Sequence, residues 1–198
     1  MKRTLVFAVI GASLLGSGVA LAEKGDWMVR LRAINIAPDT SSSIAGLDVD
    51  STVAPEVDIS YFLSKNLAME LILTVPQKHD VTLAGATIGS FKHLPPTLTF
   101  QYHFVPDQKF RPYVGAGINY TRISGVNLAG GTLTLENDSW GPAIQVGFDY
   151  EVAKDRFINV DLKRIKISSD VITTATGAKA GDLDVDPWVF GVGYGWRF

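Results

Sequence analysis

The sequence predicts an all-β fold, an eight-stranded antiparallel up-and-down transmembrane β-barrel. Three observations lead to this prediction: an export signal at the N-terminus, period-two alternation of apolar residues along the rest of the chain, and strict alternation of short and long connections. Convincing helical periodicity is not found after the export signal. No later run approaches about 18 apolar residues, so only strands could carry the chain through a membrane.

Residues 1–22 are predicted to be a cleaved signal peptide. Lys2 and Arg3 precede an apolar stretch over residues 5–15, and Ala20-Leu21-Ala22 fits the small-x-small cleavage pattern. The alternative is an N-terminal membrane anchor, but the apolar stretch is shorter than the roughly 20 residues that a spanning helix needs. Residues 23–198 are then predicted to form a single outer-membrane β-barrel domain.

The composition excludes several classes of function. The chain after residue 22 has 16 basic and 20 acidic residues, a net charge of −4, whereas nucleic-acid binding needs a basic surface. The chain has no cysteine, which excludes disulfides, thiolate chemistry and cysteine-ligated zinc. The stretch "DLDVDP" (182–187) begins like a calcium loop, but Pro187 stands where the invariant glycine is needed. No cofactor and no metal site is therefore predicted.

The predicted strands are separated by connections of two kinds. The strands cover residues 27–37, 53–63, 67–75, 94–105, 110–123, 139–152, 156–168 and 186–198. Tight polar turns are predicted at residues 64–66, 106–109 and 153–155, and longer connections rich in Gly, Ser, Thr and Asp near residues 38–52, 76–93, 124–138 and 169–185. Because short and long connections alternate, all the long loops lie at one end, as in outer-membrane barrels with short periplasmic turns and longer external loops.

Side-chain size predicts which face of each strand meets lipid. The last strand sets Trp188, Phe190, Val192, Tyr194, Trp196 and Phe198 against Val189, Gly191, Gly193, Gly195 and Arg197. The third and sixth strands divide in the same way. A soluble lipocalin-like barrel would turn the large residues inward. The lumen of an eight-stranded barrel has little room, so the bulky faces are predicted to point to lipid, with Phe198 at the periplasmic rim.

The inward residues fall into two layers when they are placed by height along the barrel. The lower layer is a predicted polar lumen plug, in which both signs of charge mingle as buried ions must: Arg30, Arg32, Asp58, Glu70, His103, Arg111, Asp149, Glu151, Asp161, Lys163 and Arg197. The upper layer is a predicted apolar lumen pocket open to the exterior: Ile34, Ile36, Ile72, Ala143, Ile165 and Val189. The alternative is that both layers merely fill the barrel.

Six segments in the right order resemble the OmpW family of bacterial outer-membrane proteins. They are "GDWMVRLRAINIAP" (25–38), "KHLPPTLTFQYHF" (92–104), "FRPYVGAGINYT" (110–121), "WGPAIQVGFDY" (140–150), "FINVDLKRIKI" (157–167) and "DPWVFGVGYGWRF" (186–198). The resemblance implies an eight-stranded barrel in the outer membrane of a Gram-negative bacterium, with a narrow apolar channel for small hydrophobic molecules. It also implies that the terminal strand, with Tyr194, Trp196 and Phe198, is an assembly signal read by the barrel-assembly machinery.

Two classes of function follow. The first is passage of small hydrophobic solutes, with lateral release into the bilayer because a polar plug would block an axial exit. Prolines remove ladder hydrogen bonds, and those near the outer strand ends could weaken a seam: Pro55, Pro95, Pro96, Pro142 and Pro187. The second is a structural or recognition barrel that acts through its external loops without transport. The expected surroundings are outer-membrane lipid and lipopolysaccharide.

Two further features were weighed as chemical sites. His79 and His93 are predicted to lie in the loop around 76–93, and His103 on the lumen face beside Gln101. No serine stands in a recognisable nucleophile context near them, so the protein is not predicted to be an enzyme. The acidic stretches 48–50 and 182–186 belong to the first and last external loops, where divalent cations could relieve their repulsion.

Overall fold

Fifteen strands and one short 3-10 turn form the regular structure of residues 24–198, the part of the chain that the computed structural model describes. The predicted signal peptide lies outside these residues. The strands are β1 (Trp27–Ala37), β2 (Ser41–Ser42), β3 (Leu47–Val49), β4 (Thr52–Phe62), β5 (Leu67–Thr74), β6 (Gln77–Leu83), β7 (Ala86–Leu94), β8 (Thr97–His103), β9 (Phe110–Leu128), β10 (Leu133–Leu135), β11 (Asp138–Ala153), β12 (Arg156–Ile165), β13 (Ser168–Thr173), β14 (Lys179–Asp184) and β15 (Trp188–Arg197), and the 3-10 turn is Ala129–Gly131. None of the helical structure between residues 24 and 198 is long and apolar enough to cross a membrane.

Eight of these strands close into an antiparallel meander. The barrel strands are β1, β4, β5, β8, β9, β11, β12 and β15, each paired with the next, and β15 pairs back with β1. The two ends of the barrel chain meet at the seam, where the amide of Trp27 donates to the carbonyl of Phe198 at 2.8 Å and the amide of Phe198 donates back at 2.9 Å. Closure leaves no unpaired strand edge in lipid, which a membrane-spanning sheet requires. The predicted fold class is confirmed.

The long connections predicted as loops are largely strands instead. Residues 76–93 fold mostly into the β6–β7 hairpin and residues 169–185 into the β13–β14 hairpin, while β9 runs on to Leu128. These segments pair with one another, since β7 joins β9, β10 joins β13, and β14 joins β2. Their Gly, Ser, Thr and Asp content argues against strands, but pairing with a neighbouring strand outweighs this weak intrinsic preference. The external loops therefore continue the wall of the barrel.

The predicted inward and outward faces agree with the exposure of the side chains. Along β5, Leu67, Met69, Leu71 and Leu73 are exposed, whereas Ala68, Glu70 and Ile72 are buried. On β11, Ile144 is 58% exposed while its neighbours Ala143 and Gln145 are buried. Large apolar side chains thus form the outer surface, and charged side chains such as Glu70 lie inside, the arrangement of a barrel embedded in lipid.

The interior is stacked in three layers along the barrel axis. A small apolar cluster of Met28, Phe62, Ala68 and Phe157 lies at the end with the short turns, which the sequence predicts to be periplasmic. Charged and polar side chains fill the middle, and a large apolar cluster fills the upper half and continues between the external hairpins. A solute that travelled along the axis would have to cross all three.

Candidate functional site

Arg30 stands at the centre of the charged layer. Its guanidinium donates two hydrogen bonds to the carboxylate of Asp149, at 2.9 and 2.7 Å, and others to Asp58 at 2.8 Å and Ser60 at 3.0 Å. The side chain is fully buried, and its partners come from β4 and β11 on different parts of the wall. A bidentate arginine–carboxylate pair fixes both position and orientation, so Arg30 ties the two sides of the lumen together.

Arg32 and Lys163 extend this network upward. Arg32 pairs with Glu56 at 2.8 Å and with Glu70 at 3.1 Å. Lys163 on β12 pairs with Glu56 at 2.9 Å and with Asp161 at 2.6 Å. Each of these side chains is almost completely buried, so the charges pair with one another instead of with water. The central network holds three basic and five acidic side chains: Arg30, Arg32, Lys163, Glu56, Asp58, Glu70, Asp149 and Asp161.

Several members of the network were not predicted. Glu56 bridges Arg32 and Lys163, Tyr113 donates to Asp161 at 2.9 Å, and Gln145 donates to Glu70 at 2.7 Å. Asn159 donates to Asp149 at 3.0 Å. The signal that could have found them is the period-two rule itself, because Glu56 stands two residues before Asp58 on the same face.

The other predicted plug residues lie nearer the periplasmic rim, apart from the central network. Arg111 pairs with Glu151, and Arg197 pairs with Asp155 at 3.2 Å. Both guanidinium groups lie over the ring of Phe157, at 4.8 and 5.4 Å from its centroid. The structure thus divides the predicted plug into a central network and a rim group.

His103 lies between these two groups. Its Nε2 is 3.2 Å from Oε1 of Gln101, and its ring packs against Phe62 and Tyr113. It occupies the lumen position that its place on the strand predicts.

The six residues of the predicted apolar pocket are all buried and lie together above the central network: Ile34, Ile36, Ile72, Ala143, Ile165 and Val189. The space among them is a cavity of about 20 Å³, enough for about one water molecule. The pocket is not open to the exterior, and this part of the prediction is wrong for the structure described here. Side chains from the external strands fill the region above it, among them Phe91 and Leu128, because those strands continue the barrel.

Two histidines lie in the roof of this compartment. His79 and His93 stand on adjacent strands of the β6–β7 hairpin, with ring centroids 4.6 Å apart, and Phe91 stacks on His79 at 5.8 Å. The Nδ1 of His79 is 2.7 Å from the carbonyl oxygen of Asp50. His93 also lines the cavity. Both residues were predicted to lie in a loop, and their position inside the barrel extension depends on the hairpin.

A groove on the outer wall approaches the same compartment from the side. It has a volume of about 210 Å³ and is lined by Pro142, Ile144, Arg164, Ile165, Lys166 and Asp186. Ile165 lines both this groove and the internal cavity. The regular pairing of β11 with β12 ends at Ala143 and Ile165, and one further bond joins the amide of Lys166 to the carbonyl of Pro142 at 3.0 Å. Pro142 has no amide hydrogen with which to continue the ladder.

Lysines pair with the acidic residues of the last external connection. The predicted proximity of residues 48–50 to residues 182–186 is not a direct pairing, because β14 pairs with Ser41 and Ser42 of β2, whereas Asp48 lies in β3, which pairs with β6. Lys166 pairs with Asp184 and Asp186 at 3.0 and 2.8 Å, and Lys179 pairs with Asp182. Between residues 24 and 198 no three acidic or histidine side chains are grouped so that they could hold a metal ion. The divalent cations considered for these acidic stretches therefore have no such group of ligands in this part of the chain.

Comparison with known proteins identifies the family. A sequence profile of the OmpW family matches residues 23–198. The chain belongs to the OmpW family. Outer membrane protein W of Vibrio cholerae is 33% identical over the full length of both chains. The crystal structure of the outer membrane protein OprG from Pseudomonas aeruginosa superposes with a TM-score of 0.78 at 30% identity, covering 89% of this chain and 97% of that one. A P. aeruginosa relative, the dibenzothiophene metabolism operon protein PahQ, is 27% identical over 75% of this chain and 77% of its own.

Membership places this OmpW-family barrel in the outer membrane of a Gram-negative bacterium. Its last strand ends at the periplasmic seam, with Phe198 72% exposed on the outer surface. Tyr194 and Trp196 pack edge to face with centroids 4.8 Å apart. The aromatic side chains of the terminal strand are thus partly or largely accessible from outside the barrel.

Proposed function

We propose that the barrel carries small hydrophobic molecules from the exterior into the outer membrane. The observation that carries this proposal is the contrast between the two interior layers. An apolar compartment lies above a layer of eight buried charged side chains that is hydrogen-bonded across the lumen. Transfer of an apolar molecule from water into the upper layer is favourable in free energy. To pass below that layer, the molecule would have to disrupt paired ions, which is unfavourable.

The contrast between the apolar and the charged layer favours a lateral route, through the wall of the barrel into the bilayer. The groove at Pro142 lies on the lipid-facing wall, and Ile165 lines both this groove and the internal cavity. Separation of β11 from β12 at their upper ends would join the compartment to the bilayer. Because the cavity holds about one water molecule, solute would be admitted by displacement of the external hairpins. The name of PahQ, which refers to the metabolism of an apolar aromatic compound, supports a hydrophobic cargo.

The expected membrane partners complete the proposal. The exposed apolar belt would contact lipid, and the external strands would lie among lipopolysaccharide. The terminal strand with Tyr194, Trp196 and Phe198 would present the assembly signal to the barrel-assembly machinery. Removal of residues 1–22 would precede assembly, and the family match begins at residue 23.

Replacement of Ile72 by aspartate tests the apolar conduit. Ile72 is buried, lines the cavity, and stands between Asp58 on β4 and Thr97 on β8. The new carboxylate would lie unpaired in the apolar compartment, which costs several kcal/mol of free energy unless water enters to solvate it. In either case a hydrophobic molecule would bind there less well. We expect uptake of a small apolar solute by cells that express Ile72→Asp to fall toward the level of cells without the protein.

The matched control is Ile72→Leu, which keeps the compartment apolar and should transport as wild type does. Folding of each variant is checked by its resistance to unfolding in detergent before heating. Undiminished uptake through a well-folded Ile72→Asp barrel would overturn the conduit. The alternative, in which the barrel acts through its external strands in recognition, would then be favoured.

A further inference from the structure

His93 is a polar residue in the middle of an apolar compartment. It is 1% exposed, and neither of its ring nitrogens has a hydrogen-bond partner among residues 24–198. Its neighbours include Phe91, whose ring centroid is 6.2 Å away, and its cross-strand partner Ile123, and both are buried apolar side chains. Buried polar groups in folded proteins almost always have hydrogen-bond partners, so two unpartnered ring nitrogens indicate a place where another polar group could bind.

Two neighbours of His93 also have side-chain atoms without a hydrogen-bond partner. Nε2 of His79 and Oε1 of Gln77 also lack partners among residues 24–198. Gln77 is the direct cross-strand partner of His93 in the hairpin, and the ring of His79 is 4.6 Å from that of His93. Three adjacent polar side chains therefore leave hydrogen-bonding atoms unused at one place in the roof.

The small cavity lies directly against this cluster. Its lining combines His93 and Thr97 with the isoleucine walls at Ile34, Ile72 and Ile165. At about 20 Å³ it has room for one oxygen-sized group, whether that is a water or a hydroxyl. Glu56 and Lys163 of the central network close its lower side, so the cavity has apolar walls between two polar ends and is sized for a single small group.

The charge state of His93 limits which chemical groups its ring could bind. Burial, with a smaller effect from His79, lowers the pKa of His93 to about 3, so the imidazole is neutral at physiological pH. A neutral imidazole has one donor and one acceptor nitrogen, which matches a hydroxyl group that both donates and accepts. A carboxylate would have to lose its water beside Glu56, and the other charged lining residue, Lys163, is already paired with Glu56 and Asp161, which disfavours an acid.

We propose that the compartment selects hydrophobic molecules that carry one hydroxyl group, that the hydroxyl occupies the small cavity at His93, and that the apolar part lies along Ile34, Ile72 and Ile165 once the external hairpins are displaced. This inference rests on the proposed function and names the class of its cargo. Since Ile165 also lines the outer groove, the apolar end points toward the bilayer exit.

Two solutes of matched size distinguish the contribution of the hydroxyl group to binding from that of the apolar part. 1-Octanol and nonane have the same number of non-hydrogen atoms and differ in one terminal group. The full-length mature protein is placed in lipid nanodiscs, and binding is followed through methyl resonances of labelled isoleucines in wild type, His93→Phe and His93→Gln. Comparison of each variant with wild type for the same solute cancels the solute's partition into lipid.

We expect His93→Phe to weaken 1-octanol binding about threefold to tenfold, the value of one neutral hydrogen bond, and to leave nonane binding unchanged. His93→Gln should keep the preference for the alcohol, because an amide also donates and accepts. Equal effects of His93→Phe on both solutes, or none on either, would overturn the hydroxyl inference and leave the conduit standing. Failure of wild type to bind either solute would overturn the conduit and the inference with it.

Discussion

At the scale of a residue, a position's place in the two-residue repeat decides whether it meets lipid or lumen. Ile144 is largely exposed on the outer wall, while Gly147 on the same strand faces the interior. A Cβ added at Gly147 would lie 2.5 Å from the hydroxyl oxygen of Tyr113, closer than real Cβ contacts come. The interior is filled, so even a methyl group at this position requires its neighbours to move.

The register is tested by arginine at Val146, an exposed residue on the same strand whose cross-strand partners Leu162 and Val114 are also exposed and apolar. A charged side chain on the lipid face near the bilayer midplane costs roughly 2–4 kcal/mol, so Val146→Arg should lower the free energy of unfolding in lipid vesicles by that amount. Val146→Leu should leave it nearly unchanged. Gly147→Arg should fail to fold because the lumen has no room beside Tyr113. A Val146→Arg barrel as stable as wild type would show that the faces are assigned the wrong way round.

At the scale of an element, the β6–β7 hairpin is the roof of the apolar compartment, and its stability depends on neutral histidines. Burial lowers the pKa of His79 as well as that of His93. Asp50 and Asp80 partly offset the shift at His79, whereas His79 itself disfavours a charge on His93. Protonation of the pair would therefore act against the closed hairpin.

The hairpin should loosen as the pH falls. The folded-state pKa of His93 is about 3 and the unfolded value about 6.5, so the open hairpin binds more protons between these values. Stability is complete above about pH 6.5 and falls toward pH 3, by up to about 1.4 kcal/mol per pH unit for one proton. Amide hydrogen exchange of β6 and β7, corrected for intrinsic rates, measures this loss.

The control for this prediction is His93→Phe, which keeps an aromatic ring against His79 but cannot take up a proton. Its exchange protection should vary much less with pH. Protection in wild type that is equal at pH 7.5 and pH 5 would contradict the prediction.

At the scale of the whole molecule, the lumen of the barrel is blocked along its axis, whereas the hydrogen-bonded ladder of the wall is interrupted beside the outer groove. The central network and the rim group block the periplasmic side, and the external strands cover the top. The ladder between β11 and β12 ends at Ala143 and Ile165, beside the outer groove. A transport cycle for an apolar molecule must therefore involve movement of the wall.

A disulfide across the groove tests that movement. Ile144 and Arg164 are direct cross-strand partners that line the groove, and the chain has no cysteine of its own. Opposed strand residues have the spacing that a disulfide needs. Oxidation of the Ile144→Cys/Arg164→Cys variant should lower hydrophobic uptake severalfold, and reduction should restore it. The equivalent pair Val57→Cys/Leu73→Cys, on β4 and β5, should transport equally in both redox states. Equal uptake by the oxidised and reduced groove variant would refute exit at this place.

The sequence by itself determined the number of barrel strands, their two faces and the membrane they occupy. The alternation in 67–73 and in 188–198 is local, and the lumen of an eight-stranded barrel excludes bulky faces. The separation of charged from apolar inward residues could also be predicted, because height along a strand follows from position in the chain.

Only the tertiary structure decided which charges pair and whether the apolar layer is open. Arg30 meets Asp58 and Asp149, which lie 28 and 119 residues away, and alternation along a strand does not specify partners across the lumen. The roof with His79 and His93 was missed because it depends on pairing between β7 and β9, against the turn-like composition of the hairpin. Local pattern sets the direction of a side chain, whereas its contacts depend on strands that are distant in the chain.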